Sequence, residues 1–258
     1  MLELICAAGK VVKAVPGQIA YTTAGTFSWV VPDGVKSICA VCIGAGSAVE
    51  VSTSLYAGMG GALRWSNNIP VTPGETLTIV TGAASANIGY PAGAVGYGKG
   101  SDTYIARGTT RLISAAGGRQ DKATQIADSI GAGGGNGGTR VVNAALNNGM
   151  CGTGAGGYSG DGGGGAANAS PTDPTAGKAG GIGSNTINGQ TVSSGGVGTG
   201  ARLLGDSVLT GATFGGGGAS GRRSSDNGKA YTPGGIGGCR IIWGTDRSYP
   251  TNALDVTA

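Results

Sequence analysis

Glycine constrains this chain more than any other feature. Of 258 residues 57 are glycine, against roughly 7% in ordinary globular proteins. Glycine has no side chain to bury and loses the most conformational freedom on ordering. A glycine-dense segment therefore needs a source of cohesion other than a side-chain core. Six runs stand out: 131–138, 152–165, 177–183, 195–200, 215–221 and 234–238. No strict Gly-X-Y register holds across them, which excludes a collagen triple helix.

Apolar residues are distributed the other way. Residues 1–114 hold 32 of Leu, Ile, Val, Met, Phe and Trp beside 17 glycines, whereas 115–238 hold 16 beside 39. The first part can build a conventional core and reads as all-β. Phe27, Trp29 and Val31 alternate with Ser28 and Val30, the period of a half-buried strand. Pro32-Asp33-Gly34 supplies a turn, and VKSICAVCI follows as the next strand. Leu63 and Trp65 share a face in LRWSNNI, as do Leu77 and Ile79 in TLTIV. Helical periodicity is weak and confined to DKATQIADSI. After the last glycine run, Arg240, Ile242 and Trp243 in CRIIWG read as a strand that closes the glycine region or rejoins the β domain.

Three readings of the glycine runs compete. Gly152, Gly154 and Gly157 match GxGxxG, but a dinucleotide site needs a strand before the motif and a helix after it. NAALNNGMC and YSGDGGGGAAN supply neither, so no cofactor is expected. A flexible linker has no reason to be divided into separate runs by segments carrying Val, Leu, Ile and Tyr. The third reading is a packed bundle of polyglycine II helices, whose backbone groups bond to neighbouring helices. The expected fold class is thus mainly β plus irregular: a β-sandwich-like or barrel domain over 1–114, then a glycine-rich polyglycine II helix bundle with connecting loops over 115–238. Residues 239–258 form a terminal strand and tail.

Several function classes are disfavoured. Histidine is absent, which removes the commonest general base and metal ligand. The thirteen acids are dispersed, and we expect no enzyme. Cys39 and Cys42 form a CxxC, but three positions apart on a strand they face opposite ways and cannot chelate one ion. They read as buried, inert thiols, fitting a reducing cytosol. The net charge of +4 is scattered, with no basic stripe, so nucleic acid is not an expected partner. No apolar stretch reaches the roughly eighteen residues of a membrane span. The start lacks a basic opening region, and no signal peptide is expected.

YTTAGTFSWVVPDGVKSICAVCIGAG, followed by GGALRWSNNIPVTPGETLTIVTG, resembles the N-terminal part of glycine-rich tail-fibre proteins of tailed bacteriophages. AGGYSGDGGGG, the later GGGG runs and GGCRIIWGTDRSYPTN are similar to their middle and end. RIIWG with R-S-Y-P is the most specific mark, and the likeness covers most of the chain. The run architecture is also similar to the distal tip adhesins of T-even-type long tail fibres, in which loops between polyglycine II helices contact host outer-membrane receptors. Two departures stand out. The tryptophan-bearing attachment segment of those adhesins is not visible, and AGSAVEVSTSLYAGMGG stands where relatives carry consecutive glycines.

The resemblance implies a virion protein of the phage tail, made in the host cytoplasm. It would recognise a host outer-membrane protein or surface glycan and join other tail-fibre or tail proteins, as a homotrimer or as a monomeric tip on a trimeric fibre. A purely structural fibre, tail or capsid-decoration component is the alternative. Specificity would lie between the runs, where Asn147, Asn148, Arg222, Arg223 and Tyr231 could share one end. Arg and Tyr are common interface anchors, and Asn offers adaptable hydrogen bonds. Arg222-Arg223 reads equally as a solvated corner with Tyr231 packed locally. Leu203-Leu204 reads as an exposed apolar contact or a cap.

Overall fold

The computed structural model describes residues 13–48, 50–51, 55–56, 58–85, 98–119, 121–140, 142–143, 152–165, 186–187, 190–191, 214–218, 220–222, 229–231, 233–253 and 256. Along the chain these form β1 (Gly17–Tyr21), β2 (Gly25–Val30), β3 (Ser37–Ile43), β4 (Glu50–Val51), β5 (Leu55–Tyr56), β6 (Leu63–Pro70), β7 (Thr76–Thr81), β8 (Thr103–Arg107) and β9 (Thr110–Ala115). A short helix, α1 (Lys122–Ala127), precedes β10 (Val142–Asn143), β11 (Thr186–Ile187), β12 (Gln190–Thr191), β13 (Ser220–Arg222), β14 (Lys229–Tyr231) and β15 (Gly238–Trp243).

Two antiparallel four-stranded sheets carry the fold, in the orders β1-β15-β3-β6 and β2-β7-β8-β9. Alternation decides which side chains meet between them. Phe27 and Trp29 of β2 turn inward while Thr26, Ser28 and Val30 stay exposed. Leu77 and Ile79 of β7, with the cross-strand pair Ile105 and Ile113, pack against Ile38 and Ile241 of the first sheet. Each such buried side chain stabilises the fold by about 1.5–3 kcal/mol.

The unbroken apolar run of β3 follows from burial on both faces. Ile38, Ala40 and Cys42 enter the inter-sheet core. Cys39, Val41 and Ile43 enter a second cluster with Leu63, Ala155, Tyr158 and Tyr249. Cys39 and Cys42 therefore face opposite ways, as their strand spacing requires.

One side of the sandwich is stitched by a single segment. Ile130 bridges Ser114 of β9, and Gly133 bridges Trp65 of β6. The Trp65 ring lies where a Cβ on Gly133 would be, and the same holds for Trp243 over Gly17. A cross-strand aromatic thus covers a bare glycine at each place. Both indoles are also tied down: Trp65 Nε1 donates to the Tyr158 carbonyl (3.1 Å) and Trp243 Nε1 to that of Val15 (2.9 Å).

Beyond the strand ends, the chain continues as extended glycine-rich segments lying side by side. Their cohesion is backbone to backbone. Gly44 N–H donates to Ala62 C=O (2.9 Å), Gly46 to Gly235 (2.8 Å), Gly61 to Gly215 (2.7 Å) and Gly156 to Gly61 (2.9 Å). Gly135 donates likewise to Gly157 (2.8 Å) and Gly138 to Gly154 (2.9 Å). A Cβ added at Gly46, Gly60, Gly137 or Gly217 would run into the carbonyl of a neighbouring segment. We call this region the glycine layer.

The architecture corrects the expected fold class. Among the described residues, 115–238 do not form a polyglycine II helix bundle. The molecule is nearly all β, built on two antiparallel four-stranded sheets, and α1 is the one helix among the described residues. The physical reason is anchorage. The layer segments grow directly out of β3, β6, β7, β8, β9 and β15 and borrow their alignment from the sheets. Much of the layer comes from the first half of the chain, through Gly44, Gly46, Gly58, Gly60, Gly61 and Gly100. The strand after the last glycine run is β15, which lies between β1 and β3.

Candidate functional site

The glycine layer ends, on the side away from the sandwich, where the segments that follow β3 and β7 have run through it and the returning segments begin. Several excursions of the chain have their feet together there. Ala48 N–H donates to Ser85 Oγ. Gly58 N–H donates to Gly218 C=O (3.0 Å), and Gly218 N–H to Ser47 C=O (2.9 Å). Thr153 N–H donates to Gly58 C=O (3.0 Å), Gly217 N–H to Thr153 C=O (2.9 Å) and Gly165 N–H to Thr139 C=O (3.2 Å). The feet of segments 49–57, 86–97, 141–151 and 219–232 thus stand at one end.

Short strands rise from these feet. β4 and β5 pair as a hairpin, Glu50 opposite Tyr56 and Val51 opposite Leu55, and β10 adds to it with Val142 opposite Tyr56. The segment AGSAVEVSTSLYAGMGG, where the resemblance loses its glycines, therefore contains a hairpin. β13 and β14 form another, with Ser220 opposite Tyr231 and Arg222 opposite Lys229. Apart from these, β11 and β12 form a third hairpin, beside β15, with Thr186 opposite Thr191 and Ile187 opposite Gln190. Asn188-Gly189 between them is a hairpin signal the sequence offered.

Arg222 and Tyr231 lie on the two strands of one hairpin, Tyr231 at its base and Arg222 farther out. Arg223, Asn147, Asn148, Leu203 and Leu204 lie outside the described residues. β10 leads into the segment carrying Asn147 and Asn148, whose far foot, Gly152–Thr153, adjoins Gly217 and Gly58. The stretch carrying Leu203 and Leu204 rejoins the described chain at Phe214–Gly215. That point is beside the sandwich, where Gly215 N–H donates to Ile236 C=O (2.8 Å).

Side chains that sequence reasoning missed pin the layer. Gln125 is fully buried; its Nε2 donates to the carbonyls of Gly60 (2.8 Å) and Gly117 (3.1 Å), and its Oε1 accepts from Gly137 N–H (2.8 Å). Arg64 Nη1 donates to the Leu63 (2.8 Å) and Gly135 (2.7 Å) carbonyls, and its Nη2 to Asn136 Oδ1. Burial draws the Arg64 pKa down, against the pull of Asp161. Asp161 accepts from Asn136 N–H (2.7 Å) and pairs with Lys122. Burial pushes its pKa up, but bonds from Lys122 and Asn136 outweigh that and hold it below the usual carboxylate range. Among the described residues no cluster of three His, Cys, Asp or Glu could hold a metal ion. The acids here are structural: Asp102 pairs with Arg111 and Arg119, Asp128 with Arg119, and Glu75 with Arg107.

The four short excursions hold Tyr56, Tyr90, Tyr97 and Tyr231, half of the chain's eight tyrosines. They also carry several asparagines and serines, while 86–97 and 141–151 have no charged residue. Tyrosine supplies contact area at low entropic cost, and Asn and Ser supply adaptable hydrogen bonds.

No curated protein matches the chain significantly. A family model described as a glycine-rich domain matches residues 22–252, a span that includes all the strands from β2 to β15. The chain belongs to this glycine-rich domain family.

Proposed function

We propose that the protein is a phage virion adhesin of the tail fibre or tail tip, recognising a host surface receptor through the excursions of the glycine layer. One observation carries the reading: the feet of 49–57, 86–97, 141–151 and 219–232 are bonded to one another at a single end. The feet of segments far apart in sequence are thereby held together by backbone bonds that do not depend on the side chains of the segments between them. The tyrosine- and asparagine-bearing composition suits recognition of a protein or glycan. A host outer-membrane protein or surface glycan is the partner on one side, and other tail proteins on the other. The resemblance to phage tail-fibre proteins supplies the virion setting; the protein acts by binding, without catalysis.

Fluorescently labelled purified protein is incubated with outer-membrane vesicles from a panel of Gram-negative bacteria. The reading expects saturable binding to vesicles of some strains, lost when 141–151 and 219–232 are replaced by Gly-Ser linkers of equal length. Arg222→Ala and Tyr231→Ala are expected to weaken it roughly tenfold or more if they anchor contact. Absence of binding across the panel, with assembly into tail particles intact, favours the purely structural component instead.

A further inference from the structure

Cys42 and Cys239 stand directly opposite each other on β3 and β15. Both are fully buried in the inter-sheet core, and their sulfurs are 3.8 Å apart. Directly opposed residues of antiparallel strands have Cα atoms about 4.5–5.5 Å apart. That lies inside the roughly 4.4–6.8 Å that a disulfide spans. Closing the bond requires small side-chain rotations and no change of register. The other described thiol, Cys39, is on the opposite face of β3, where its Sγ donates to the Arg247 carbonyl (3.3 Å). It cannot compete without unpairing the strand.

We propose that Cys42 and Cys239 are a disulfide site, reduced in the structure described and closed when the chain meets a small-molecule disulfide such as oxidised glutathione. A thiolate of the pair attacks the reagent, releasing one glutathione thiol and leaving a mixed disulfide. The second thiolate of the pair then displaces the other glutathione. Cys42 and Cys239 together lose two protons and two electrons, and one oxidised glutathione becomes two reduced ones.

Timing follows from burial. Desolvation pushes the Cys42 thiol well above its usual pKa, so little thiolate exists in the closed sandwich and exchange waits for β15 to open. The consequence reaches the whole glycine layer. β3 enters it and β15 leaves it, so the bond closes a loop containing every layer segment between residues 42 and 239. A chain held by marginal backbone bonds gains most from such a constraint, because the disulfide acts on its unfolded state. The chemistry does not depend on the adhesin reading, and vesicle binding and disulfide formation are scored separately.

The test uses the full chain. It is partly unfolded in urea, returned to buffer with either reduced or oxidised glutathione, and mapped by mass spectrometry after blocking free thiols and digestion. The expected product under oxidation is a single species lighter by two hydrogens, with Cys42 and Cys239 peptides linked. Its melting temperature should exceed that of the reduced chain by roughly 5–10 °C, and a reductant should remove the difference. Cys239→Ala, which keeps the site apolar, should refold without the mass change or the shift. Comparing oxidised and reduced wild type needs no variant, so a misfolding Cys239→Ala leaves the test intact. Linkage through Cys39, no linkage, or a linked species that melts lower overturns the proposal.

Discussion

The sandwich and the glycine layer are held together by different parts of the residue. Between the sheets, Ile38, Leu77, Ile79, Ile105, Ile113 and Ile241 exclude water with side chains. In the layer, carbonyls and amides of neighbouring segments meet with nothing between them, and added atoms have nowhere to go. Each buried isoleucine contributes about 1.5–3 kcal/mol, each backbone bond a net of about 0.5–1.5 kcal/mol. A side-chain core tolerates swaps that conserve volume. A backbone core has no volume to conserve, so its tolerance is governed by the missing Cβ.

The difference is broken most directly at Gly217. A Cβ there meets the Gly58 carbonyl, so Gly217→Val is expected to abolish cooperative folding, read by circular dichroism on heating. An unchanged melting curve would reject the backbone core outright. Next comes the sandwich: Ile241→Ala opens a cavity and should lower stability by about 2–5 kcal/mol, a measurable loss from a protein that still folds. Gln125→Leu follows, at roughly 3 kcal/mol, because it strips partners from Gly60 C=O, Gly117 C=O and Gly137 N–H. Gly74→Ala is the control. Gly74 sits in a turn with φ +81 and open space around its Cα, so only left-handed strain applies, about 1–2 kcal/mol. Urea unfolding of the four variants should preserve this order. A cost at Gly74 equal to that at Gly217 would show that glycine conformation, not close packing, governs the layer.

The sandwich was legible where side chains alternate. Phe27 and Trp29, Leu77 and Ile79, and the two-faced run of β3 announced their strands, and the opposed faces of Cys39 and Cys42 followed from spacing. The layer was not. The conspicuous glycine runs lie after residue 130, whereas Gly44, Gly46, Gly60 and Gly61 stand alone or in pairs among other residues. No code pairs them either: every glycine offers the same N–H and C=O, so nothing in the sequence assigns Gly61 to Gly156 and Gly215. Helix α1 shows how local reading can invert. Its apolar positions Ala123, Ile126 and Ala127 suggest a buried stripe, yet Ile126 is 49% exposed, as is Ile130 just beyond it at 46%. Gln125 is the buried residue, because the surface beneath is made of backbone groups that need donors and acceptors. Of the site, Arg222 and Tyr231 were legible as candidates but not the hairpin that joins them, and the convergence of the feet depends on those unencoded bonds.

The finest distinction between the two regions is titrated by acid. Glu75 pins a sandwich turn: its side-chain bond from Arg107 outweighs desolvation and holds its pKa below the usual range. Asp161 pins the layer and is held low by Lys122 and Asn136 against the effect of burial. A carboxylate depressed in the folded state binds protons more readily when unfolded. Its contribution is fully present above the unfolded pKa, near pH 4, and is lost as pH falls through the lower folded value. The Lys122–Asp161 pair is about two-fifths exposed on each side chain, so screening limits it to under about 1 kcal/mol. Amide exchange resolves what global stability cannot. Lowering the pH from 5 to 2.5, after correction for intrinsic rates, should unprotect Asn136, whose N–H donates to Asp161, and Asp161→Asn should flatten that response. Thr72, whose N–H donates to Glu75, should respond to Glu75→Gln and not to Asp161→Asn. If either substitution moved both amides equally, the layer and the sandwich would be one cooperative unit, and the division between side-chain and backbone cohesion would have no energetic boundary.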